Sequence, residues 1–465
     1  MMERIELKGL ALEPAALFAG LAERPGSAYL DSALIDEHGL GRWSFLAWDP
    51  FLTLSGKGDA IQVRQASRFS RSADHPLQIL RALLQRYRSE KGEGPVPFAS
   101  GAIGYLAYDL GHALERLART TTDDLQLPDL YFTFHDFVLA YDHLGQRWDL
   151  AGEERQGGER PALARRRDEV MALAEKAAPA GLPEISPAEP VRFSSNFTRE
   201  DYLRAIVKAK HYIREGDIYQ VNLSQRFRAP APGPAWPLYW RLRRANPAPF
   251  AAFLQAGDFQ VLSSSPERFL RLESGRVETR PIKGTRPRGR TPAEDARLAQ
   301  ELLTSEKDHA ELNMIVDLER NDLGRVCAYG TVRVTRHAAL ESYARVHHLV
   351  STVEGQLLCG KDTVDLIRAA FPGGSITGAP KIRAMQIIDE FEPTARSVYT
   401  GAIGWLGFNG DLDLNIAIRT MIAKGGEVFF QAGGGIVADS DPEAEYQETL
   451  DKARALFEAL MGSGL

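Results

Sequence analysis

The chain has 465 residues, 44% of them hydrophobic, which is enough for a large core and for two or three domains. Its formal net charge of -6 argues against a nucleic-acid-binding surface but leaves small anionic ligands possible. The two cysteines, Cys327 and Cys359, have neither metal-site nor disulfide-framework spacing, and no run of about 18 apolar residues predicts a membrane span. Acidic residues and proline interrupt the apolar positions of residues 1–20, so we expect a cytoplasmic protein.

Strands dominate the predicted structure of the N-terminal region, residues 1–150. Residues 33–50, 101–109 and 130–142 are rich in aromatic and aliphatic side chains and are bounded by turn signals. The composition then changes over residues 151–194, where a polar helix is followed by a Pro/Ala-rich linker. This segment is therefore a candidate domain boundary.

The remaining region, residues 195–465, opens with a helix whose start is marked by Thr198 and Asp201, a spacing close to that of a capping box. Residues 399–437 predict an antiparallel meander with glycine-containing turns. Its first strand, GAIGWLGF, repeats the earlier GAIGYLAY, which indicates an internal duplication or a chance match. Because helices and antiparallel strands occur without regular βαβ alternation, the sequence predicts an α+β fold.

Two charged features stand out after residue 280. The segment RPIKGTRPRG, residues 280–289, places Lys283 among three arginines, which on its own is typical of a solvated surface loop. The helix predicted over residues 305–326 places Glu311 within an apolar stripe. The other members of that stripe are Met314, Ile315 and Leu318. A buried carboxylate needs a partner, and a buried salt bridge is the commoner explanation for Glu311 alone.

Glycine-rich segments and one arginine indicate anion binding nearer the C-terminus. Residues 372–381 form a glycine-rich turn before a helix, although Ala379-Pro380 stands where a P-loop requires Gly-Lys. Strand alternation places Arg419 on the side of the meander opposite the leucines and isoleucines, where it could clamp a carboxylate. The run Gly433–Gly435 exposes backbone N–H groups to a ligand oxygen or else forms a tight bend.

The C-terminal helix, predicted over residues 439–460, carries Glu445, Glu448 and Lys452 on one face and apolar residues on another. Like charges three residues apart repel each other unless a cation lies between them. Carboxylates with open positions suit Mg2+, which is typically shared with an anionic substrate. A solvated helix face would explain the same pattern, so the spacing leaves both interpretations open.

Six segments together resemble the family of chorismate-utilising enzymes. They are residues 263–269, 281–289, 310–326, 373–393, 414–421 and 432–456. Their shared order along residues 195–460 makes the resemblance specific, whereas residues 1–150 are similar only in outline. The resemblance implies an α+β fold with two large antiparallel β-sheets packed as a sandwich, flanking helices, and strands contributed by both halves of the chain.

Two positions distinguish between the reactions of this family. The resemblance implies that members aminating C2 of chorismate, the anthranilate synthases, usually have alanine at the position of Lys283. Members that add water instead have lysine at the position of Gln220. This chain is most similar to members that make 4-amino-4-deoxychorismate, for 4-aminobenzoate and folate, through a covalent lysine adduct at C2. An anthranilate synthase or a 2-amino-2-deoxyisochorismate synthase is the alternative.

The resemblance also implies a role for each candidate residue. Lys283 is the nucleophile, and Glu267 is the general acid that protonates the departing C4 hydroxyl. Glu311 and Glu448, with Glu445 directly or through water, are the implied ligands of Mg2+. The implied substrate contacts are His348, Ser375, Tyr399, Arg419, Gly433, Gly435 and Lys452.

The two catalytic roles require perturbed pKa values. A lysine with a pKa near 10.4 is neutral in only about one molecule in 2,500 at pH 7, so Lys283 must be made less basic. Arg280, Arg286, a bound cation and burial are the features expected to disfavour its ammonium form. Glu267 must be held protonated by an apolar or anionic environment.

Two partners besides chorismate follow from the resemblance. Residues 31–46, with Ser32, Trp43 and Ser44, resemble a tryptophan-binding element, so a silent tryptophan-binding regulatory subunit is the alternative to an enzyme. No cysteine has the setting of a glutaminase nucleophile, so we expect a glutamine amidotransferase subunit to supply ammonia. No nucleic-acid or membrane partner is expected.

Overall fold

The computed structural model describes residues 2–35, 39–65, 68–90, 95–115, 117–153, 163–180, 191–343 and 346–462. Its strands, in chain order, are β1 Met2–Glu6, β2 Ala28–Asp31, β3 Trp43–Ala47, β4 Leu52–Lys57, β5 Ala60–Gln65, β6 Arg68–Ser72, β7 Gly101–Leu106, β8 Leu130–His135, β9 Phe137–Asp142, β10 Arg147–Glu153, β11 Ser194–Ser195, β12 Gln220–Pro230, β13 Phe250–Gln255, β14 Phe259–Ser265, β15 Arg268–Glu273, β16 Arg276–Thr279, β17 Ile282–Pro287, β18 Arg333–Ser342, β19 Val346–Gln356, β20 Gly378–Ala379, β21 Ala402–Gly407, β22 Leu412–Ile416, β23 Thr420–Lys424 and β24 Glu427–Ile436.

Helices flank these strands along the whole chain. They are α1 Pro14–Ala19, α2 Pro76–Arg86, α3 Gly111–Leu114, α4 Leu163–Ala180, α5 Arg199–Arg214, α6 Ala235–Ala245, α7 Pro292–Leu303, α8 Glu306–Gly324, α9 Thr363–Ala370, α10 Lys381–Phe391 and α11 Pro442–Met461, with single 3-10 turns at Tyr108–Leu110 and Gly374–Ile376. The predicted polar helix of the 151–194 segment is α4, whereas the linker after it lies outside the described residues. No helix in the described part of the chain is long and apolar enough to cross a membrane.

The strands form two twelve-stranded sheets in which every pairing is antiparallel. The first sheet runs β1-β10-β9-β3-β2-β13-β14-β23-β24-β12-β11, with β20 beside β12. The second runs β17-β19-β16-β15-β22-β21-β7-β8-β4-β5-β6, with β18 beside β19. Each sheet mixes strands that precede residue 153 with strands that follow residue 194, so the two parts of the chain share both sheets.

Both faces of each sheet are covered. In β21, Ile403 and Trp405 pack into a core shared between the sheets, whereas Ala402 and Leu406 pack into the core on the opposite face. This alternation is what a strand buried on both sides requires. Helices α1, α4, α6 and α11 cover the outer face of the first sheet, and α2, α8 and α9 pack in the core of the second. The predicted sandwich with flanking helices is confirmed.

The repeated segments GAIGYLAY and GAIGWLGF lie side by side as β7 and β21. Their antiparallel register places Gly104 directly opposite Gly404. A Cβ atom on Gly104 would lie 1.9 Å from the Tyr131 carbonyl oxygen, and one on Gly404 would lie 2.0 Å from the Asp413 carbonyl oxygen. The two glycines therefore meet the same steric requirement, the close approach of neighbouring strands.

The predicted meander over residues 399–437 is wrong in one respect. The hairpin of β21 and β22 belongs to the second sheet, and the hairpin of β23 and β24 belongs to the first, so the chain changes sheets between Ile416 and Thr420. Strand alternation consequently stops at Ile416, and Arg419 has a left-handed backbone with φ of 52°. Local alternation predicts strands but cannot tell which sheet each strand joins.

Several helix starts follow their sequence signals. The Thr198 hydroxyl accepts a hydrogen bond from the Asp201 N–H at 3.1 Å and caps α5. The Asp441 carboxylate caps α11 in the same way, with Pro442 in the first turn. These caps satisfy N–H groups that have no partner within the helix.

Candidate active site

Two crossovers between the sheets meet at one end of the sandwich. One joins β14 to β15 and carries Glu267, and the other joins β22 to β23 and carries Arg419. The Ile416 N–H donates to the Glu267 carbonyl oxygen at 3.0 Å, and the Ser264 N–H donates to the Arg419 carbonyl oxygen at 3.0 Å. The backbone therefore ties the two crossovers together although 152 positions separate Glu267 from Arg419 in the chain.

Lys283 lies in an edge strand and not in the surface loop that its sequence suggested. Strand β17 pairs with β19, and the register shifts between Lys283 and Thr285. Gly284, at this bulge, has φ of +68°, a conformation that favours glycine. The Lys283 side chain is directed inward, where its Nζ donates to the Ser375 carbonyl oxygen at 3.2 Å.

Burial lowers the pKa of Lys283, and the nearby Lys452 ammonium acts in the same direction. The carboxylates of Glu311, Glu267 and Glu448 oppose this change. The expected contribution of Arg280 and Arg286 is not found. Arg280 is paired with the buried carboxylate of Glu341, and Arg286 is paired with Glu301 and Asp308. Those guanidinium charges are therefore neutralised by carboxylates on other elements, and burial carries the effect.

Glu267 has the environment that a general acid needs. It is 5% exposed, and its Oε1 accepts a hydrogen bond from the Ser375 hydroxyl at 2.8 Å. Burial raises the pKa of Glu267, and the Ser375 hydrogen bond and the Lys283 ammonium offset part of that rise. The carboxyl group is thus held closer to its protonated form than an exposed glutamate would be.

Ser375 brings Lys283 and Glu267 together. Its hydroxyl donates to Glu267, and its carbonyl oxygen accepts from Lys283. Ser375 itself is 6% exposed and lies in the 3-10 turn Gly374–Ile376, within the glycine-rich segment that the sequence singled out. The Lys283 amine and the Glu267 carboxyl group therefore flank one residue.

The three predicted metal ligands come from α8 and α11. The Glu311 side chain is 18% exposed and lies 3.8 Å from Lys307, so it sits at the edge of the apolar stripe of α8 and not inside it. Glu445 is 5% exposed, and its Oε1 accepts a hydrogen bond from the Ser440 hydroxyl at 2.6 Å. The Glu448 carboxylate is half-exposed and lies 2.6 Å from the Lys452 ammonium.

The pKa values of these carboxylates differ in direction. Burial raises the pKa of Glu311 and that of Glu445. Burial also acts to raise the Glu448 pKa, but the charge and hydrogen bond of Lys452, together with the Lys283 and Lys307 ammonium groups, lower it overall. Glu448 is among the charges that raise the other two values, so the three carboxylates share one electrostatic environment.

The donor set suits Mg2+ in its chemistry. Carboxylates from two helices supply only oxygen ligands, and a Cβ on Gly434 would lie 3.0 Å from Glu445 Oε2 and 3.6 Å from Glu448 Oε1, so both carboxylates border the same strand position. Within the described residues, no three acidic, histidine or cysteine side chains are gathered closely enough for one ion. Lys307 and Lys452 instead neutralise the carboxylates.

Arg419 is a candidate anion-binding residue because no carboxylate among the described residues neutralises it. Its Nη1 donates to the Lys452 carbonyl oxygen at 2.6 Å, and no carboxylate within the described ranges pairs with it. Burial lowers the pKa of Arg419, with Tyr399 acting in the opposite direction. Lys452 completes this corner, because its Nζ donates to the Gly433 carbonyl oxygen at 3.0 Å. A partly buried guanidinium without a carboxylate partner is suited to bind one from a ligand.

His348 and Gly435 line other parts of the same site. Burial lowers the pKa of His348 to about 4, so the imidazole is neutral at physiological pH. Its Nδ1 shares a hydrogen bond with the Thr285 hydroxyl at 2.9 Å. A Cβ on Gly435 would lie 2.0 Å from Gln220 Nε2, so glycine is required for the Gln220 side chain to cover this strand.

The predicted tryptophan element forms a different site. The Ser32 hydroxyl donates to the Trp43 carbonyl oxygen at 2.6 Å, and the Ser32 N–H donates to the Ser44 hydroxyl at 3.0 Å. Ser32 and Trp43 line a cavity of about 380 Å³ between the sheets, whereas Ser44 is buried behind it. None of the predicted catalytic, metal or substrate residues lines this cavity.

Sequence reasoning missed two buried groups near the site. Glu319, 2% exposed, falls on the buried face of α8 with Leu312, Ile315 and Leu323, so helical projection from Leu312 would have found it. Arg396, 2% exposed, pairs with the buried Glu392 and donates to the Ile376 carbonyl oxygen at 3.0 Å. The pair with Glu392 is local, four residues apart, but the backbone acceptors of Arg396 at Ile376 and Asn222 come from separate elements that the sequence does not bring together.

Comparison with known proteins agrees with this geometry. The family described as chorismate binding enzyme matches residues 32–458. Aminodeoxychorismate synthase component 1 of Bacillus subtilis is 42% identical over 421 residues, covering 90% of this chain and 89% of the relative. Anthranilate synthase component 1 of Cereibacter sphaeroides is 40% identical over 464 residues, covering 97% and 93% respectively.

A solved structure has the same fold over nearly the whole chain. The crystal structure of anthranilate synthase component I from Streptococcus pneumoniae superposes with a TM-score of 0.80 at 33% identity, covering 98% of this chain and 99% of that chain. The fold and site thus define a chorismate-utilising enzyme. The chain belongs to the chorismate-binding enzyme family, which confirms the family resemblance of its six sequence segments.

Proposed function

We propose that this protein aminates chorismate to 4-amino-4-deoxychorismate, for 4-aminobenzoate and folate synthesis. The observation that carries the proposal is the placement of the Lys283 amine and the Glu267 carboxyl group on either side of Ser375. The lowered Lys283 pKa and the raised Glu267 pKa favour an amine that can attack and an acid that can donate. A relative named aminodeoxychorismate synthase component 1 is 42% identical, which supports the same assignment.

The first step forms a bond between Lys283 Nζ and C2 of the chorismate ring. Both ring double bonds shift by one position, the bond from C4 to its hydroxyl oxygen breaks, and Glu267 gives its proton to that oxygen, so that water leaves and Lys283 is held to C2 as a secondary amine carrying the positive charge. In the second step ammonia bonds to C4, both double bonds shift back, Lys283 departs from C2 as a neutral amine, and the new ammonium group returns a proton to the Glu267 carboxylate. The net reaction converts chorismate and ammonia to 4-amino-4-deoxychorismate and water.

The substrate's charges fit the remaining residues. Arg419, partly buried and without a carboxylate partner in the described residues, would bind the enolpyruvyl carboxylate together with Tyr399 and the N–H groups near Gly433 and Gly435. Glu311, Glu448 and Glu445 would hold Mg2+, which supplies a positive charge for the ring carboxylate and makes C2 more electrophilic. His348, which burial keeps neutral, would offer the substrate a polar contact without adding a charge to the site.

Ammonia is expected from a second protein. The chain has two cysteines, one buried and one exposed, and neither has the sequence setting of a glutaminase nucleophile. The relative's designation as component 1 supports a partner component, and a glutamine amidotransferase is the kind that would release ammonia. Purified chain that turned over glutamine alone would contradict this part of the proposal.

The competing assignment is amination at C2. A relative named anthranilate synthase component 1 is 40% identical over nearly the whole chain, so overall similarity does not separate the two reactions. Lys283 is the discriminating residue, because direct attack of ammonia at C2 has no need of a nucleophilic lysine. The position of the nitrogen on the product ring decides between them.

The test is product analysis with chorismate, Mg2+ and isotopically labelled ammonium. We expect nuclear magnetic resonance to show the label on C4 for the wild type. Without ammonium, intact-protein mass spectrometry should detect an adduct of chorismate less one water. Lys283→Ala should lose the adduct and most 4-amino product, with any residual product shifted towards the 2-amino isomer.

Matched variants sharpen this test. Lys283→Arg should fail as completely as Lys283→Ala, because a guanidinium remains charged and is not a nucleophile at neutral pH. Lys361→Ala, which changes an exposed lysine, should behave like the wild type. Wild-type production of the 4-amino isomer by Lys283→Ala would mean that Lys283 only steers an anion.

The cavity lined by Ser32 and Trp43 supports a separate role for tryptophan. If tryptophan occupies it, isothermal titration should show one site that is weakened in Trp43→Ala. Chorismate turnover in the same preparation would exclude the silent regulatory subunit. Tryptophan binding without any turnover would favour that subunit instead.

A further inference from the structure

The turn that carries Ser375 is anchored from behind by α8. The Gly374 N–H donates to Glu319 Oε1 at 3.1 Å, and a Cβ on Gly374 would lie 2.6 Å from Leu318 Cδ2. Within the turn, the Thr377 hydroxyl donates to the Gly373 carbonyl oxygen at 2.9 Å. Gly374 is thus pressed onto α8, while the next residue faces Lys283 and Glu267.

Glu319 is a fully enclosed acid that contacts the turn and not the catalytic groups. It is 2% exposed, and its second oxygen lies 3.4 Å from the hydroxyl of Thr279, which is also buried. Asp322, one turn later in α8, is paired with Lys381 at 2.5 Å, and no cation among the described residues is in hydrogen-bonding contact with Glu319. Glu319 therefore acts on Lys283 and Glu267 through the Gly374 backbone and through electrostatic interaction.

We propose that Glu319 is a positioning residue that holds the Gly374–Ile376 turn in place, so that Ser375 orients the Lys283 amine and the Glu267 carboxyl group at once. This inference rests on the proposed function of those two groups. The hydrogen bond from Gly374 to Glu319 acts with those from Thr377 to Gly373 and from Arg396 to Ile376, and it is the one that ties the turn to α8. A displacement of the turn would move the hydroxyl from Glu267 and the carbonyl oxygen from Lys283 together.

Glu319 serves this purpose best as a neutral acid. Burial raises the pKa of Glu319 to about 8, with the Asp322 carboxylate adding to the rise, and the Lys381 ammonium and the Gly374 N–H acting against it. The Glu267 carboxylate also raises that pKa. A protonated Glu319 can accept from Gly374 and donate to Thr279, which is the pattern that a glutamine side chain reproduces.

The test compares Glu319→Gln and Glu319→Met. Glutamine keeps the acceptor for Gly374, so we expect kcat within about threefold of the wild type, the range of a modest hydrogen-bond change. Methionine fills the space without an acceptor, so we expect kcat to fall about 100-fold with KM nearly unchanged, as for a small misplacement of reacting groups. Asp317→Asn, which changes an exposed residue of the same helix, is the control and should keep the wild-type kcat.

Hydrogen exchange measured by mass spectrometry on residues 371–377 gives a readout that does not depend on the reaction. Exchange at this turn should accelerate in Glu319→Met and not in Glu319→Gln. If Glu319→Met does not fold, Gly374→Ala, which pushes the turn off Leu318, should give the same loss of kcat. Unchanged exchange and kcat in Glu319→Met would overturn the inference, whereas a wild type that does not aminate C4 would refute the proposed function and leave the exchange result standing.

Discussion

The sharpest test of the catalytic acid is Glu267→Gln. Glutamine has nearly the same shape, and its amide oxygen can still accept from the Ser375 hydroxyl, which lies 2.8 Å from Glu267 Oε1. The second carboxyl oxygen of Glu267 is replaced by an amide NH2 group, which cannot act as a proton donor in the reaction. The substitution therefore removes the acid and leaves the 5% exposed position filled.

The expected loss can be estimated from the role that is removed. A positioned general acid contributes about 100-fold to 10,000-fold in rate, which is about 3 to 5 kcal/mol of transition-state stabilisation. Because Arg419 and the carboxylates of α8 and α11 are untouched, KM for chorismate should change little. Glu200→Gln, an exposed residue in the first turn of α5, is the matched control and should have wild-type kinetics.

The pH profile gives the sign of the effect. The wild type needs Glu267 protonated, so activity should be lost as the pH rises through the raised pKa of this group. It also needs Lys283 neutral, so activity should rise as the pH passes through the lowered lysine pKa. Because Lys283 and Glu267 interact, the rising and falling parts of the pH–activity profile belong to the pair and not to either residue alone. The loss of activity at high pH should disappear in Glu267→Gln. A fall in kcat of less than tenfold, with the high-pH limb retained, would refute the assignment of Glu267 as the acid.

Two other predictions concern the metal and the buried ion pair. Glu311→Gln and Glu448→Gln should each require more Mg2+ for half-maximal activity, and Ser440→Ala, which removes the hydrogen bond to Glu445, should weaken Mg2+ affinity about 10-fold to 100-fold. Full activity in excess EDTA would remove the metal from the mechanism. Arg396→Met should lower the free energy of unfolding by about 3 to 5 kcal/mol in urea titrations, because it leaves the 4% exposed carboxylate of Glu392 unpaired. Adding Glu392→Leu should recover part of that loss, and additive effects of the two substitutions would contradict a direct pair.

The amino-acid sequence by itself determined the family, the local elements and the identity of most candidate site residues. Capping by Thr198 and Asp441 and the alternation within β21 are local features, because each depends on neighbours a few residues away. The candidate catalytic residues could be predicted from the sequence for a similar reason. Lys283 and Glu267 lie in short segments whose order along the chain characterises the family.

Only the tertiary structure decided which groups meet. The crossing from Ile416 to Thr420 into the other sheet, the pairing of Arg280 with Glu341, and the hydrogen bond from Gly374 to Glu319 each join elements far apart in the chain. Local sequence periodicity records whether a residue is buried, but it does not record which distant group it faces. The charge of a neighbouring element sets the pKa of a buried side chain, so the chemistry of Lys283 and Glu267 emerges only when both sheets are assembled.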